Sequence, residues 1–219
     1  MRLPPDDDGL RWLLALHSSS DSLGVGLQRL GAAAPERLAT FPLGRSLSNG
    51  LFDSLESVLP ASAWPRLGRL AVATGPGGFT GTRLTVVLAR TLAQQLALPL
   101  DGISSFRLIA RRLLTGSAPP GVDGPFWLLQ ELPRRGVVAG LFASDPEQPG
   151  GVAELEAPRL HRSREALAPY PIRPALVQLP QDVIQLLGFS AAYAAAGRDA
   201  PWQPVLPLYP TSPVEALPC

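Results

Sequence analysis

The spacing of apolar positions changes several times along the chain, and each change marks an element. Trp12 to Leu16 is a continuous apolar run that ends in His17-Ser18-Ser19-Ser20-Asp21, after which Leu23, Val25 and Leu27 alternate with glycines. That pattern predicts a strand, a polar turn and a second strand. Glu36 to Pro42 supplies a third strand. Leu51, Phe52, Leu55, Val58 and Leu59 then fall at helical spacing behind a Ser48-Asn49 cap. The opening of the chain therefore reads as a three-stranded meander followed by a helix.

A second block begins with the apolar stretch Leu70 to Thr74. It runs into Gly75-Pro76-Gly77-Gly78-Phe79-Thr80-Gly81 and then into a long helical segment from Thr82 to Leu98, which Pro99 ends. Leu100 to Ile103 predicts another short strand, and Ser104 or Ser105 caps a helix through Leu114. Glycine and proline dominate Thr115 to Pro125 without apolar periodicity, which predicts a linker. Beyond it, Phe126 to Leu129 and Val137 to Phe142 read as paired strands, with Val152 to Leu155 and Ala175 to Leu179 as further strands. Gln181 to Ala196 reads as a helix stopped by Gly197. The expected organisation is an extension over 1–11, a first lobe over 12–114, and a smaller second lobe over 115–219 with a proline-rich end that wraps the surface.

Composition narrows the chemistry. A chain of 219 residues that is 46% hydrophobic can bury a substantial core. Nineteen basic against 18 acidic side chains leave a net charge of +1, so bulk electrostatics does not call for nucleic acid or a membrane surface. Lysine is absent, which removes Schiff-base chemistry and the phosphate-loop lysine. Cys219, His17 and His161 are the only soft ligands, too few for a Cys/His zinc site, and the single cysteine suits a reducing compartment. No metal or cofactor is expected. Without an apolar run near the roughly 18 residues that span a bilayer, the expected setting is cytoplasmic, with no membrane partner.

The glycine loop, Gly75 to Gly81, is the strongest local signal. Glycines let backbone amides turn sharply and approach an anion at a helix amino terminus. A dinucleotide loop places glycine where Thr80 stands, so a tight strand-to-helix turn without ligand is the better-supported reading, and anion binding the alternative. The helix that follows is apolar on nearly every side. Leu84, Val87, Leu88, Leu92 and Leu96 form one face; Val86, Ala89, Ala93 and Ala97 form a small-residue face that admits close approach of another helix, from this chain or a partner. His17 reads as a histidine satisfied at a strand end rather than a general base, and His161 as part of a solvated basic loop. Arg111-Arg112 and Arg134-Arg135 suit phosphate, though solvated charge at a helix end and a turn is the simpler reading.

These residues also resemble a known family. Ala73-Thr74-Gly75-Pro76-Gly77-Gly78-Phe79-Thr80-Gly81-Thr82-Arg83-Leu84, continuing to Leu98-Pro99-Leu100-Asp101-Gly102-Ile103-Ser104-Ser105-Phe106, is similar to the GPGSFTGLR segment, helix and G-[IV]-S-S strand end of TsaB (YeaZ) proteins. Leu14 to Ser19 resembles the family's L-A-I-D-T-S strand, Arg45 to Leu59 its first helix, Arg134 to Val138 its D-A-R-R-G-E-V-Y hairpin, and Pro207-Leu208-Tyr209 its P-[LV]-Y. The resemblance implies an α/β, two-lobed, actin-like (ASKHA, ribonuclease-H-like) fold with mixed sheets flanked by helices. It implies a non-catalytic scaffold subunit that binds the catalytic subunit TsaD, with the ATPase TsaE acting indirectly and tRNA through the complex, in placing a threonylcarbamoyl group on tRNA adenosine. The partner interface then maps to Leu51, Leu55, Val86, Ala89, Arg90 and Ala93, and a homodimer is an expected state of the free chain. His17 stands where the family carries aspartate, and Leu132 and Val137 replace acidic positions of the hairpin, which turns the resemblance further from catalysis. The competing readings are a small nucleotide-binding kinase or ATPase of the same superfold, with Asp21 and Asp101 as its metal-ordering carboxylates, and a divergent homodimer with no tRNA role.

Overall fold

A computed structural model describes residues 11–116, 124–133 and 135–210. The extension expected over 1–11 (Arg11 apart), most of the linker, Arg134 and the end of the proline-rich segment with Cys219 lie outside the described residues. The first sheet is built from β1 (Trp12–His17), β2 (Leu23–Arg29), β3 (Arg37–Phe41), β4 (Leu67–Ala73) and β5 (Leu100–Ile103), in the order β3-β2-β1-β4-β5. β1, β2 and β3 form an antiparallel meander, while β4 and β5 run parallel to β1. This is the ribonuclease-H-like arrangement.

The second sheet repeats it in shortened form. β6 (Phe126–Leu132), β7 (Gly136–Ser144) and β8 (Val152–His161) make an antiparallel meander, and β9 (Ile172–Pro174) lies parallel to β6, in the order β8-β7-β6-β9. The two lobes thus share one chain path, and together they form an actin-like fold of mixed sheets flanked by helices.

Among the described residues four α-helices cover the sheets: α1 (Leu47–Val58), α2 (Phe79–Leu96), α3 (Ser105–Thr115) and α4 (Gln181–Ala195). α1 and α2 lie on one face of the first sheet, where Leu14, Leu16, Val25 and Val72 meet Leu55, Val86, Ala89 and Ala93. The opposite face, with Leu13, Ala15, Ala71 and Ile103, shares a single core with α3, α4 and the inner face of the second sheet, including Phe126, Leu128 and Phe142. The helices cross over between lobes. α4, made last, packs on β1, β2 and β4 of the first sheet, whereas α3, which completes the first lobe in sequence, packs on β7 and β8 of the second.

That crossing explains the glycines of β2. A Cβ on Gly26 would come within 2.6 Å of Val183 Cγ1 on α4, so only glycine lets the helix seat this closely. After α4 the chain returns along the first lobe: Leu100 N donates to Ala200 O (2.8 Å), Val205 is buried in the first core, and Leu208 N donates to Thr74 O (2.7 Å). Residues 198–210 therefore form a strap lying over β5 and the glycine loop.

Some expected boundaries move for physical reasons. Ala175 to Leu179 is not a strand: pairing with β6 ends at Pro174 and Ala175, and Gln178 N donates to the Asp182 carboxylate at 2.6 Å, which makes the segment a lead-in to α4. β8 runs ten residues, and His161 closes it. α1 begins before Ser48-Asn49, behind a 3-10 turn over Gly44–Ser46. α2 starts at Phe79 and ends where Ala97 turns left-handed (φ 52°). Ser104 caps α3 by accepting from Arg107 N at 3.1 Å, as its position predicts.

Candidate functional site

The glycine loop joins β4 to α2 and is pressed onto the turn that follows β1. Gly78 N donates to Ser19 O at 3.0 Å. A Cβ on Gly77 would collide with the Ser19 backbone, and one on Gly81 would lie 2.8 Å from Ser18 O. Gly75 adopts φ +94°, which side chains rarely tolerate. The glycines thus serve close approach of two backbones. The amide of Gly78 is spent on the protein itself.

Beneath the loop lies a buried hydroxyl cluster. Ser18 Oγ and Thr85 Oγ1 share a hydrogen bond of 2.5 Å, Ser105 Oγ donates to Ser19 Oγ at 2.7 Å, and Thr82 Oγ1 donates to Ser19 Oγ at 3.3 Å. Ser105 N donates to Gly75 O at 2.7 Å. The end of β1 and the starts of α2 and α3 are tied together through these contacts. His17 sits at the same strand end with no exposed surface; burial pushes its imidazole down to about 4, and its Nδ1 accepts from Ser19 N at 3.4 Å. Its Nε2 is buried without a partner. With no exposed surface, the imidazole does not line the cleft.

The carboxylates expected for metal ordering lie apart. Asp101 is gripped by Arg69 at 2.7 and 3.0 Å and receives the Ser190 hydroxyl at 2.5 Å. Asp21 is exposed and lines an opening beside Gly78, Thr80 and Gly81. Among the described residues no group of three His, Cys, Asp or Glu side chains is placed to hold a metal ion.

Among the described residues three openings border the loop, and one of about 620 Å³ is lined by Asp21, Arg45 and Ser48 together with Gly78 to Gly81. A cleft of about 330 Å³ lies between the lobes, walled by Pro76, Gly77, Phe79 and Thr82 from the first, Gln130, Leu132, Arg135 and Val138 from the second, and Leu208, Tyr209 and Pro210 from the strap. A groove of about 370 Å³ lies on the outer side, between α2 (Phe79, Arg83, Val86, Val87, Arg90) and the strap (Leu206, Pro207, Tyr209). Phe79 and Tyr209 stack with ring centroids 4.9 Å apart and belong to both walls.

The residues expected to form the partner interface are mostly internal. Leu55, Val86, Ala89 and Ala93 are fully buried and Leu51 is 4% exposed, all against the first lobe's own sheet. The small-residue face of α2 is the side that seats on β4 and β1, because small side chains let the helix approach its own sheet. Arg90 is half-buried and anchors the strap: it donates to Val205 O at 2.8 Å and lies over the Trp202 ring at 5.4 Å. The outward side carries Arg83, Val87, Thr91 and Gln94, with Val87 54% exposed. An apolar residue among polar ones on that side of the helix was the available signal, and Phe52 of α1, 54% exposed, gives the same one. Leu206 and Tyr209 of the strap carried no periodicity that would have marked them.

The Arg111-Arg112 pair has a structural task. Arg112 bonds Asp182 at 2.7 Å and Leu176 O at 2.7 Å, and Arg111 bonds Gly150 O at 3.1 Å and Gln185 Oε1 at 3.0 Å, so both staple α3 to its neighbours. Arg135 reaches the cleft wall. His161 is buried, with its ring edge-on to Trp127 at 5.4 Å, and so is no part of a solvated loop.

This combination of two lobes, a loop-bearing cleft and mixed sheets defines an actin-like α/β protein. The model of the family TsaD, tRNA N6-adenosine threonylcarbamoyltransferase, matches residues 55–128. The tRNA threonylcarbamoyladenosine biosynthesis protein TsaB of Bacillus subtilis (strain 168) is 32% identical over 100 residues, which cover 45% of this chain and 43% of that protein; the matched stretch thus spans less than half of this curated relative. YeaZ from Pseudomonas aeruginosa superposes with a TM-score of 0.65 at 19% identity, covering 91% of this chain and 99% of that one. A protein described as similar to the peptidase YEAZ from Pseudomonas aeruginosa superposes at 0.69 with 20% identity, over 92% and 100% of the two chains. The chain thus shares its fold with YeaZ and, over less than half its length, its sequence pattern with TsaB.

Proposed function

We propose that the chain is a non-catalytic subunit in the biosynthesis of tRNA threonylcarbamoyladenosine, docking a TsaD-like catalytic subunit through the outer faces of its first-lobe helices. The observation that carries this reading is the uncovered apolar side of α1 and α2, where Phe52, Phe79 and Val87 are each more than half exposed. Exposed aromatic and aliphatic side chains gathered on packed helices suit a protein interface. The glycine loop supports the same reading, since its backbone is committed to Ser18 and Ser19 and its neighbouring carboxylate Asp101 to Arg69. A TsaE-like ATPase and tRNA enter through the assembled complex.

Light scattering on a sizing column tests it, for the chain alone and mixed with the TsaD-like subunit of the same cell. A one-to-one complex, with or without loss of a self-dimer, is the expected result. An unchanged profile at micromolar concentrations would remove the docking reading.

A further inference from the structure

We propose that the groove between α2 and the C-terminal strap is itself part of the docking surface, and that it receives an apolar segment of the partner protein flanked by carboxylates. The inference rests on the docking reading above and extends it from the helices to the strap. Nine large hydrophobic side chains are exposed among the described residues, and four of them converge here: Phe79 (56%), Val87 (54%), Leu206 (60%) and Tyr209 (41%). Single exposed hydrophobics are ordinary; four lining one concavity make a patch that binding would cover.

The chemistry of the occupant follows from the rim. Among the described residues, the charged side chains lining the groove are Arg83 and Arg90, with no carboxylate beside them. Arg90 holds the strap through Val205 O and Trp202, while Arg83 is exposed and, among the described residues, is bonded to no acidic side chain. Apolar anchors fit the floor, and carboxylates beside them complement the two guanidinium groups. The site is also preformed. Buried Val205 and the bond from Leu208 N to Thr74 O fix the strap on both sides of Leu206, so little ordering is left for binding to offset.

The test is calorimetric titration of the full chain with the cognate TsaD-like subunit, comparing wild type with Leu206→Asp and Arg83→Glu. Both side chains are exposed, and unchanged thermal unfolding of each variant verifies that the fold is intact. The expected result is at least a roughly tenfold loss of affinity for each, as for a central contact and a rim charge facing an acid, with the Arg83→Glu loss shrinking at high salt. If wild type binds and both variants bind equally well, the strap groove is not part of the interface and the helix docking reading stands without it. If wild type does not bind at all, the docking reading falls and this inference with it. If Leu206→Asp only converts a self-dimer to monomer while partner affinity is unchanged, a second copy of the chain occupies the groove and the inference is overturned.

Discussion

Arg69 and Asp101 face each other across β4 and β5 as a two-pronged pair, at 2.7 and 3.0 Å, with the Ser190 hydroxyl of α4 bound to the same carboxylate. Both side chains are buried. The pair fastens α4 to the first sheet.

Removing one partner strands a buried charge. Asp101→Ala is expected to cost about 3–5 kcal/mol in denaturant unfolding, because Arg69 then lacks its counter-ion. The double variant Arg69→Met with Asp101→Leu is expected to cost clearly less than Asp101→Ala alone. Equal losses would show that packing volume, rather than the pairing, sets the effect.

The same commitment predicts a nucleotide result. With Asp101 held by Arg69 and Gly78 N by Ser19 O, magnesium ATP at millimolar concentration is expected to give no binding heat. A saturating heat would restore the kinase or ATPase reading.

Two substitutions on one helix separate core from surface. Ala93 is fully buried against the sheet, so Ala93→Arg is expected to abolish cooperative folding or to cost at least about 3 kcal/mol. Val87→Arg, about one and two-thirds turns away on the exposed side, is expected to leave stability within about 0.5 kcal/mol of wild type while losing the partner. Circular dichroism melts and the column assay read both.

Gly77 offers a test of the loop. Gly77→Ala drives a methyl into the Ser19 backbone and is expected to destabilise by about 1–3 kcal/mol, whereas Gly124→Ala, with open space around its Cβ, stays near neutral. If Gly77→Ala is silent, the loop and the turn after β1 are not in the contact described.

His17 makes stability fall on acidification. Its folded value of about 4 lies below the ordinary 6.5, so between those values the unfolded chain binds a proton that the folded chain refuses. Above pH 6.5 the side chain is neutral in both states and this effect is absent; stability declines as pH falls from 6.5 to about 4 and levels off below. The total is on the order of 3 kcal/mol. His17→Gln is expected to flatten that part of the profile, and identical slopes for the two proteins would contradict a buried neutral imidazole.

Element order was legible because period-two and helical spacing survive in the first lobe: Leu23, Val25 and Leu27 mark β2 and the Ser104 cap marks α3, each where the structure has it. The crossing of α3 and α4 between lobes was not legible, since apolar periodicity says that a face is buried and not by what. Gly24 and Gly26 held the clue, as two glycines on one face of a strand need a close neighbour. The burial of Val86, Ala89 and Ala93 against their own sheet was hidden for a related reason. Small residues on α2 signal close helix approach equally for a sheet within the chain and for a foreign helix, and Leu14, Leu16 and Val72 settle it as the former. Arg111 and Arg112 show the limit again: their partners lie at Gly150, Gln185 and Asp182, distances along the chain that no local pattern reports.

The return of α4 and the strap to the first sheet has a consequence for the order in which the protein is made. On the ribosome the five strands of the first sheet emerge before any part of the second lobe, yet the β2 face bearing Gly24 and Gly26 has no cover until Val183 and Leu187 arrive, and Val205 completes the other core later still. The nascent first lobe therefore waits, with one side of its sheet bare, for the last quarter of the chain.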